Sequence, residues 1–102
     1  MGGPGGATNP EQLFAAGFAA CFQSALGVVG RRQGTDTGNS TVEADVMIGT
    51  IPGGGYGLAV ALRVSIPGVA PEKVRTLADA AHQVCPYSNA TRGNIDVTIT
   101  AG

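Results

Sequence analysis

The period of the apolar positions changes several times along the chain, and each change marks an element. Leu13, Gly17, Ala20, Cys21, Ser24, Ala25 and Val28 recur at spacings of three and four. That spacing predicts one helical face of small residues with a few large ones, which lets another helix approach closely. Asn9-Pro10-Glu11 reads as its start: an N-cap, a proline at the first helical position, and a carboxylate against the positive helix end. Arg31 and Arg32 suit the last turn, so the helix is expected to close between Gly30 and Gly34. Thr41 to Ile51 and Tyr56 to Ile66 alternate with a period of two, and the glycine run 53–55 between them predicts a β-hairpin. Pro71-Glu72 opens a second helix with the stripe Val74, Leu77, Ala78, Ala81 and Val84. Pro86 breaks it, because proline removes a donor and disfavours helical geometry in the residue before. Tyr87 to Thr91 reads as a further helical turn, Gly93-Asn94 as a turn, and Ile95 to Thr100 as the last strand. Residues 1 to 8 hold four glycines and a proline and predict no regular structure. The order is α+β, a long helix with at most three antiparallel strands.

At 102 residues the chain is expected to be a single small domain spanning 1–102. Such a chain buries only about 60% of its unfolded surface, which makes a monomer marginal and dimerisation an early expectation. Forty-three per cent hydrophobic residues exclude a disordered chain. Six basic against seven acidic residues leave a net charge of −1, without the basic footprint that nucleic-acid binding needs. The apolar stretch from Leu13 to Gly30 is interrupted by Gln23 and Ser24, and no basic segment leads into it. Neither a membrane anchor nor a signal peptide is expected, and the protein is read as cytoplasmic.

The candidate chemistry rests on few residues. Cys21 and Cys85 are either small buried hydrophobes or reactive thiols. Cys85 precedes Pro86 and can cap the short helix that follows, where the dipole favours thiolate; Cys21, in mid-helix, gains little from any dipole. Glu11 has an ordinary reading as a first-turn carboxylate. It lies ten residues from Cys21, about 15 Å along a helix, so one straight helix cannot join them. If both serve one site, Glu11 comes from a partner subunit. His82, the single histidine, reads as a packed or solvated helical residue rather than a base. One histidine and two distant cysteines give no metal-ligand spacing. Gly53 to Gly57 lacks the context and the lysine of a phosphate loop, and Asn89-Ala90-Thr91 matches a glycosylation acceptor by chance.

Residues 2 to 26, GGPGGATNPEQLFAAGFAACFQSAL, resemble the signature of the organic hydroperoxide resistance branch of the OsmC/Ohr superfamily, and residues 81 to 96, AHQVCPYSNATRGNID, resemble its second cysteine motif. The resemblance implies a thiol peroxidase that reduces organic or lipid hydroperoxides to alcohols. Cys21 would attack as a thiolate and become a sulfenic acid, Cys85 would condense with it to a disulfide, and Glu11 would assist. The disulfide would then be reduced by an external dithiol of the dihydrolipoamide type, carried on a lipoylated protein. No bound cofactor or metal is implied. The family forms intertwined homodimers with two long helices packed centrally, and apolar residues such as Phe18 and Phe22 would favour alkyl hydroperoxides. The family also carries a β-rich segment ahead of the glycine-rich loop, whose arginine pairs with the glutamate matching Glu11 and stabilises the attacking thiolate. None of Arg31, Arg32, Arg63, Arg75 or Arg92 matches that position. Losing the cation predicts a raised Cys21 pKa. The alternative reading is therefore a catalytically weak or inactive dimeric remnant of the family.

Overall fold

The long helix begins where its capping chemistry is complete. In the computed structural model, which describes residues 9–101, helix α1 runs over Pro10–Gln33. Asn9 Oδ1 accepts from the Gln12 backbone N–H at 2.8 Å, and Gln12 Oε1 accepts from the Asn9 backbone N–H at 3.4 Å. This reciprocal pair satisfies two of the donors that every helix start leaves unpaired. Gly34, at φ 69°, takes the left-handed conformation that ends the helix, and Thr35 donates back to the Gly30 carbonyl at 2.8 Å. The expectation of irregular structure over residues 1 to 8 lies outside the described residues.

Strands β1 (Thr41–Thr50) and β2 (Tyr56–Ser65) form the expected hairpin, closed by a loop in which Gly53 and Gly54 have φ of 97° and 93°. The register sets Ala44 opposite Leu62 and Val46 opposite Val60. Strand β3 (Asp96–Ala101) corrects the expectation of a wholly antiparallel sheet, because it runs parallel to β2, with Val97 opposite Val60 and Ile99 opposite Leu62. The reason is the connection. Helices α2 (Pro71–Val84) and α3 (Pro86–Thr91) carry the chain back to the end where β2 began, and such a crossover returns a strand in the same direction. The sheet order is β1-β2-β3. Its outer face carries Glu43, Asp45 and Arg63, with Arg63 bonded to both carboxylates at 3.4 and 2.6 Å. All three are exposed, so water screens both pairs and they add little to stability.

The inner face of the sheet packs Val60, Leu62 and Val64 against Phe18, Phe22, Leu26 and Val29 of α1 and Val74, Leu77, Ala78 and Ala81 of α2. Each large side chain fully withdrawn from water there stabilises the fold by about 1.5–3 kcal/mol. The face of α1 that meets the core is not the small-residue face expected to admit another helix. Ala25 is shared, but Leu13, Ala20 and Ser24 are exposed. α1 is apolar all round, so the periodicity admits two faces, and the bulkier side chains went to the core. By length and composition α1 could cross a membrane, at mean hydropathy 1.7. In this fold Phe18, Phe22, Leu26 and Val29 are instead consumed by the sheet and α2. Gly30 has a packing reason: a Cβ there would lie 2.6 Å from Thr37 Cγ2 and 2.8 Å from the Thr35 carbonyl oxygen.

Candidate active site

Cys21 and Cys85 are brought together by two different local devices. Cys21 lies one turn beyond Phe18 on α1, at the edge of the buried stretch, and is half-buried. Cys85 occupies the single-residue break between α2 and α3. Its N–H still donates to the Ala81 carbonyl at 2.8 Å, but Pro86 forces its backbone to φ −61°, ψ 121°, out of the helix. The turn drives its side chain into the core, where it is fully buried. The Cys85 thiol donates to Cys21 Sγ at 3.3 Å, across 64 residues of sequence, and both cysteines are free.

The electrostatics correct the expectation about the short helix. Cys85 is its N-cap residue, yet makes no side-chain capping hydrogen bond. The backbone N–H of Tyr87 acts instead on the Cys21 sulfur and favours its thiolate. Mid-helix Cys21 therefore does receive help from a helix start, supplied by another helix. That help is outweighed. Burial pushes the Cys21 thiol above its ordinary value, and the neighbouring Cys85 adds to the rise. The expected direction is thus seen, with desolvation as its largest cause.

Three aromatic rings flank the pair. Phe14 stacks on Tyr87 at a centroid separation of 6.1 Å, and Phe18 meets both edge-on at 5.8 Å. The Tyr87 ring lies over Gly17, where a Cβ would stand 3.4 Å from Cε2, so the small residue sets how closely the ring approaches α1. Phe22, named with Phe18 from sequence, is fully buried in the core.

A polar arrangement stitches the break on its other side, and sequence reasoning missed it. His82 Nδ1 and Ser88 Oγ are hydrogen-bonded at 2.8 Å. Arg92 donates to the His82 carbonyl at 2.7 Å and to Asn89 Oδ1 at 2.6 Å, while Asn89 Nδ2 donates to the Gln83 carbonyl at 3.2 Å. Burial, and then the Arg92 charge, hold the His82 pKa below 6.5, with Asp79 opposing. The signal was present. A proline break orphans carbonyls at the end of α2, and the polar residues of the next turn are the nearest donors.

Glu11 is not brought to this site. It lines a groove between the first turn of α1 and β1, with Gln12, Ala15, Ala44 and Val46. Among the described residues no arginine hydrogen-bonds either sulfur: Arg63 is held by Glu43 and Asp45, Arg75 by Asp79 and the Ile99 carbonyl, and Arg92 by Asn89 and His82. No group of three metal-ligating side chains occurs among the described residues.

Residues 3–100 match the model of the OsmC-like protein family. The organic hydroperoxide resistance protein of Xanthomonas axonopodis pv. citri is 55% identical over 98% of this chain and 71% of its own length. OhrA of Bacillus subtilis, also an organic hydroperoxide resistance protein, is 47% identical over 91% of this chain and 66% of its own length. Among solved structures, an organic hydroperoxide resistance protein of Elizabethkingia anophelis superposes with a TM-score of 0.87 at 57% identity, covering 91% of this chain and 66% of that one.

Proposed function

Since the chain belongs to the OsmC-like family, within its organic hydroperoxide resistance branch, we propose that it is a thiol-dependent peroxidase acting on organic hydroperoxides. The observation that carries this reading is the 3.3 Å approach of two free sulfurs, one half-buried and one fully buried. The Cys21 thiolate attacks the terminal oxygen of the hydroperoxide. An S–O bond forms, the O–O bond breaks, and the alkoxide takes a proton and leaves as the alcohol. Cys21 is then a sulfenic acid. The Cys85 thiolate attacks its sulfur, the S–S bond forms, and hydroxide leaves with a proton as water. An external dithiol, of the dihydrolipoamide type, restores both thiols by two exchanges and is itself oxidised to a disulfide. None of these steps calls for a bound cofactor.

Phe14 and Tyr87, backed by the buried ring of Phe18, give an alkyl or aryl substituent an apolar surface beside Cys21. A homodimer accounts for two further features. Leu13, Met47, Ile48, Ile51 and Tyr56 are exposed large apolar side chains at one end of the molecule, and a second copy would cover them. Glu11, remote from the cysteines of its own chain, would then serve the partner's site.

Consumption of cumene hydroperoxide under excess dihydrolipoamide tests the reading. Cys21→Ser abolishes turnover, whereas Cys85→Ser consumes one equivalent and stalls. Because burial raises the Cys21 pKa above its ordinary value, the rate is expected to climb as the pH rises from 6 to 8 and more of the sulfur becomes thiolate. Consumption undiminished in Cys21→Ser sinks the proposal. The raised pKa also favours one rival reading, a dimeric remnant of weak activity. Its mark is stoichiometric oxidation of the pair with almost no turnover in the unaltered protein.

A further inference from the structure

The break at Cys85 is a place where α2 and α3 could change their mutual angle, since a single extended residue joins them. Any such change would carry the Cys85 sulfur away from Cys21. Three side-chain hydrogen bonds span the break: His82 to Ser88, Asn89 to the Gln83 carbonyl, and Arg92 to the His82 carbonyl. The first differs in kind from the others. Ser88 is fully buried, so its hydroxyl has no water to fall back on, and the bond to His82 Nδ1 satisfies it. Asn89 and Arg92 are exposed and contribute less.

We propose that the His82–Ser88 hydrogen bond is the positioning element that holds Cys85 on Cys21 for disulfide formation. This rests on the thiol reading above for its catalytic meaning. Neither residue touches the reacting sulfurs in this assignment; both act through the backbone of the Cys85 turn. Two thiols held 3.3 Å apart need to close only to the bonded distance of about 2.05 Å, so little chain freedom is lost when the bond forms. In exchange terms, the held turn gives the pair a high effective concentration. Loosening it lowers that concentration and makes the disulfide easier to reduce.

The test is the reduction potential of the Cys21–Cys85 pair, measured on the whole protein in dithiothreitol redox buffers without any hydroperoxide. Ser88→Ala and His82→Gln are expected to lower the equilibrium constant for disulfide formation about tenfold, which is a rise in potential of about 30 mV for this two-electron couple. His82→Asn keeps a hydrogen-bonding atom near the Nδ1 position and is expected to restore most of the loss; glutamine places its amide further out and is not. Potentials of Ser88→Ala and His82→Gln equal to or below that of the unaltered protein overturn the proposal, as does His82→Asn behaving like His82→Gln. His82 is only half-buried, so its two variants keep the core if Ser88→Ala fails to fold. The readout is independent of peroxidase activity. A pair that shows the expected potentials but consumes no cumene hydroperoxide leaves the positioning role standing and removes the enzymatic one.

Discussion

The two halves of α1 experience different surroundings although their composition is similar. From Phe18 onward, Phe18, Phe22, Ala25, Leu26, Val29 and Gly30 are buried against the sheet and α2. Before Phe18 no residue of the helix is buried, and Leu13 is 50% exposed. The hairpin repeats the division. Val42, Ala44 and Val46 are half-buried, while Met47, Ile48, Ile51 and Tyr56 project at the far end, Tyr56 at 73% exposure. Cys21 lies just inside the packed half, Glu11 in the overhanging one. One sulfur of the pair thus lies half-buried at the margin of the core and the other fully inside it, which on the proposed reading lets Cys21 meet substrate while Cys85 stays dry. The Glu11 carboxylate lies away from both sulfurs, and under the proposed reading a second copy would have to bring it into use.

Three substitutions sharpen or break this contrast. Phe22→Ala empties a fully buried position in the packed half and is expected to cost about 3–5 kcal/mol, read by urea unfolding. Gly30→Ala forces a methyl against the Thr35 carbonyl, which cannot retreat as a flexible side chain could, and is expected to cost about 1–3 kcal/mol in the same measurement. Tyr56→Ser removes a large ring from the overhang and is expected to change monomer stability by no more than about 0.5 kcal/mol, seen at protein concentrations low enough to dissociate any assembly. A Tyr56→Ser loss as large as that of Phe22→Ala would show that the overhang has a core of its own, and the comparison would fail.

Much of this was legible in the residues. Asn9-Pro10 marked the start of α1, the glycines of 53–55 the hairpin turn, and Pro86 the break that exposes Cys85 to Cys21. The two cysteine motifs carried the family, which the match over residues 3–100 bears out. One expectation failed and two details were not legible, each for a physical cause. The direction of β3 depends on where α2 and α3 deliver the chain, which strand periodicity does not encode. The core face of α1 was ambiguous because an Ala- and Gly-rich helix is apolar on every side. His82 is packed, in keeping with its sequence reading, but its hydrogen bond was hidden because Ser88 becomes its neighbour only after the chain turns at Cys85.

The sulfur pair also joins positions 64 residues apart, one on the first helix and one past the second. A covalent link across so long a loop restricts the unfolded chain far more than the folded one, by about 4 kcal/mol in the loop-entropy model. That is roughly a thousandfold fall in the unfolded population. Each oxidation would therefore leave the molecule briefly more durable than it was before, so resistance to heat and to proteases would rise and fall with the redox cycle itself.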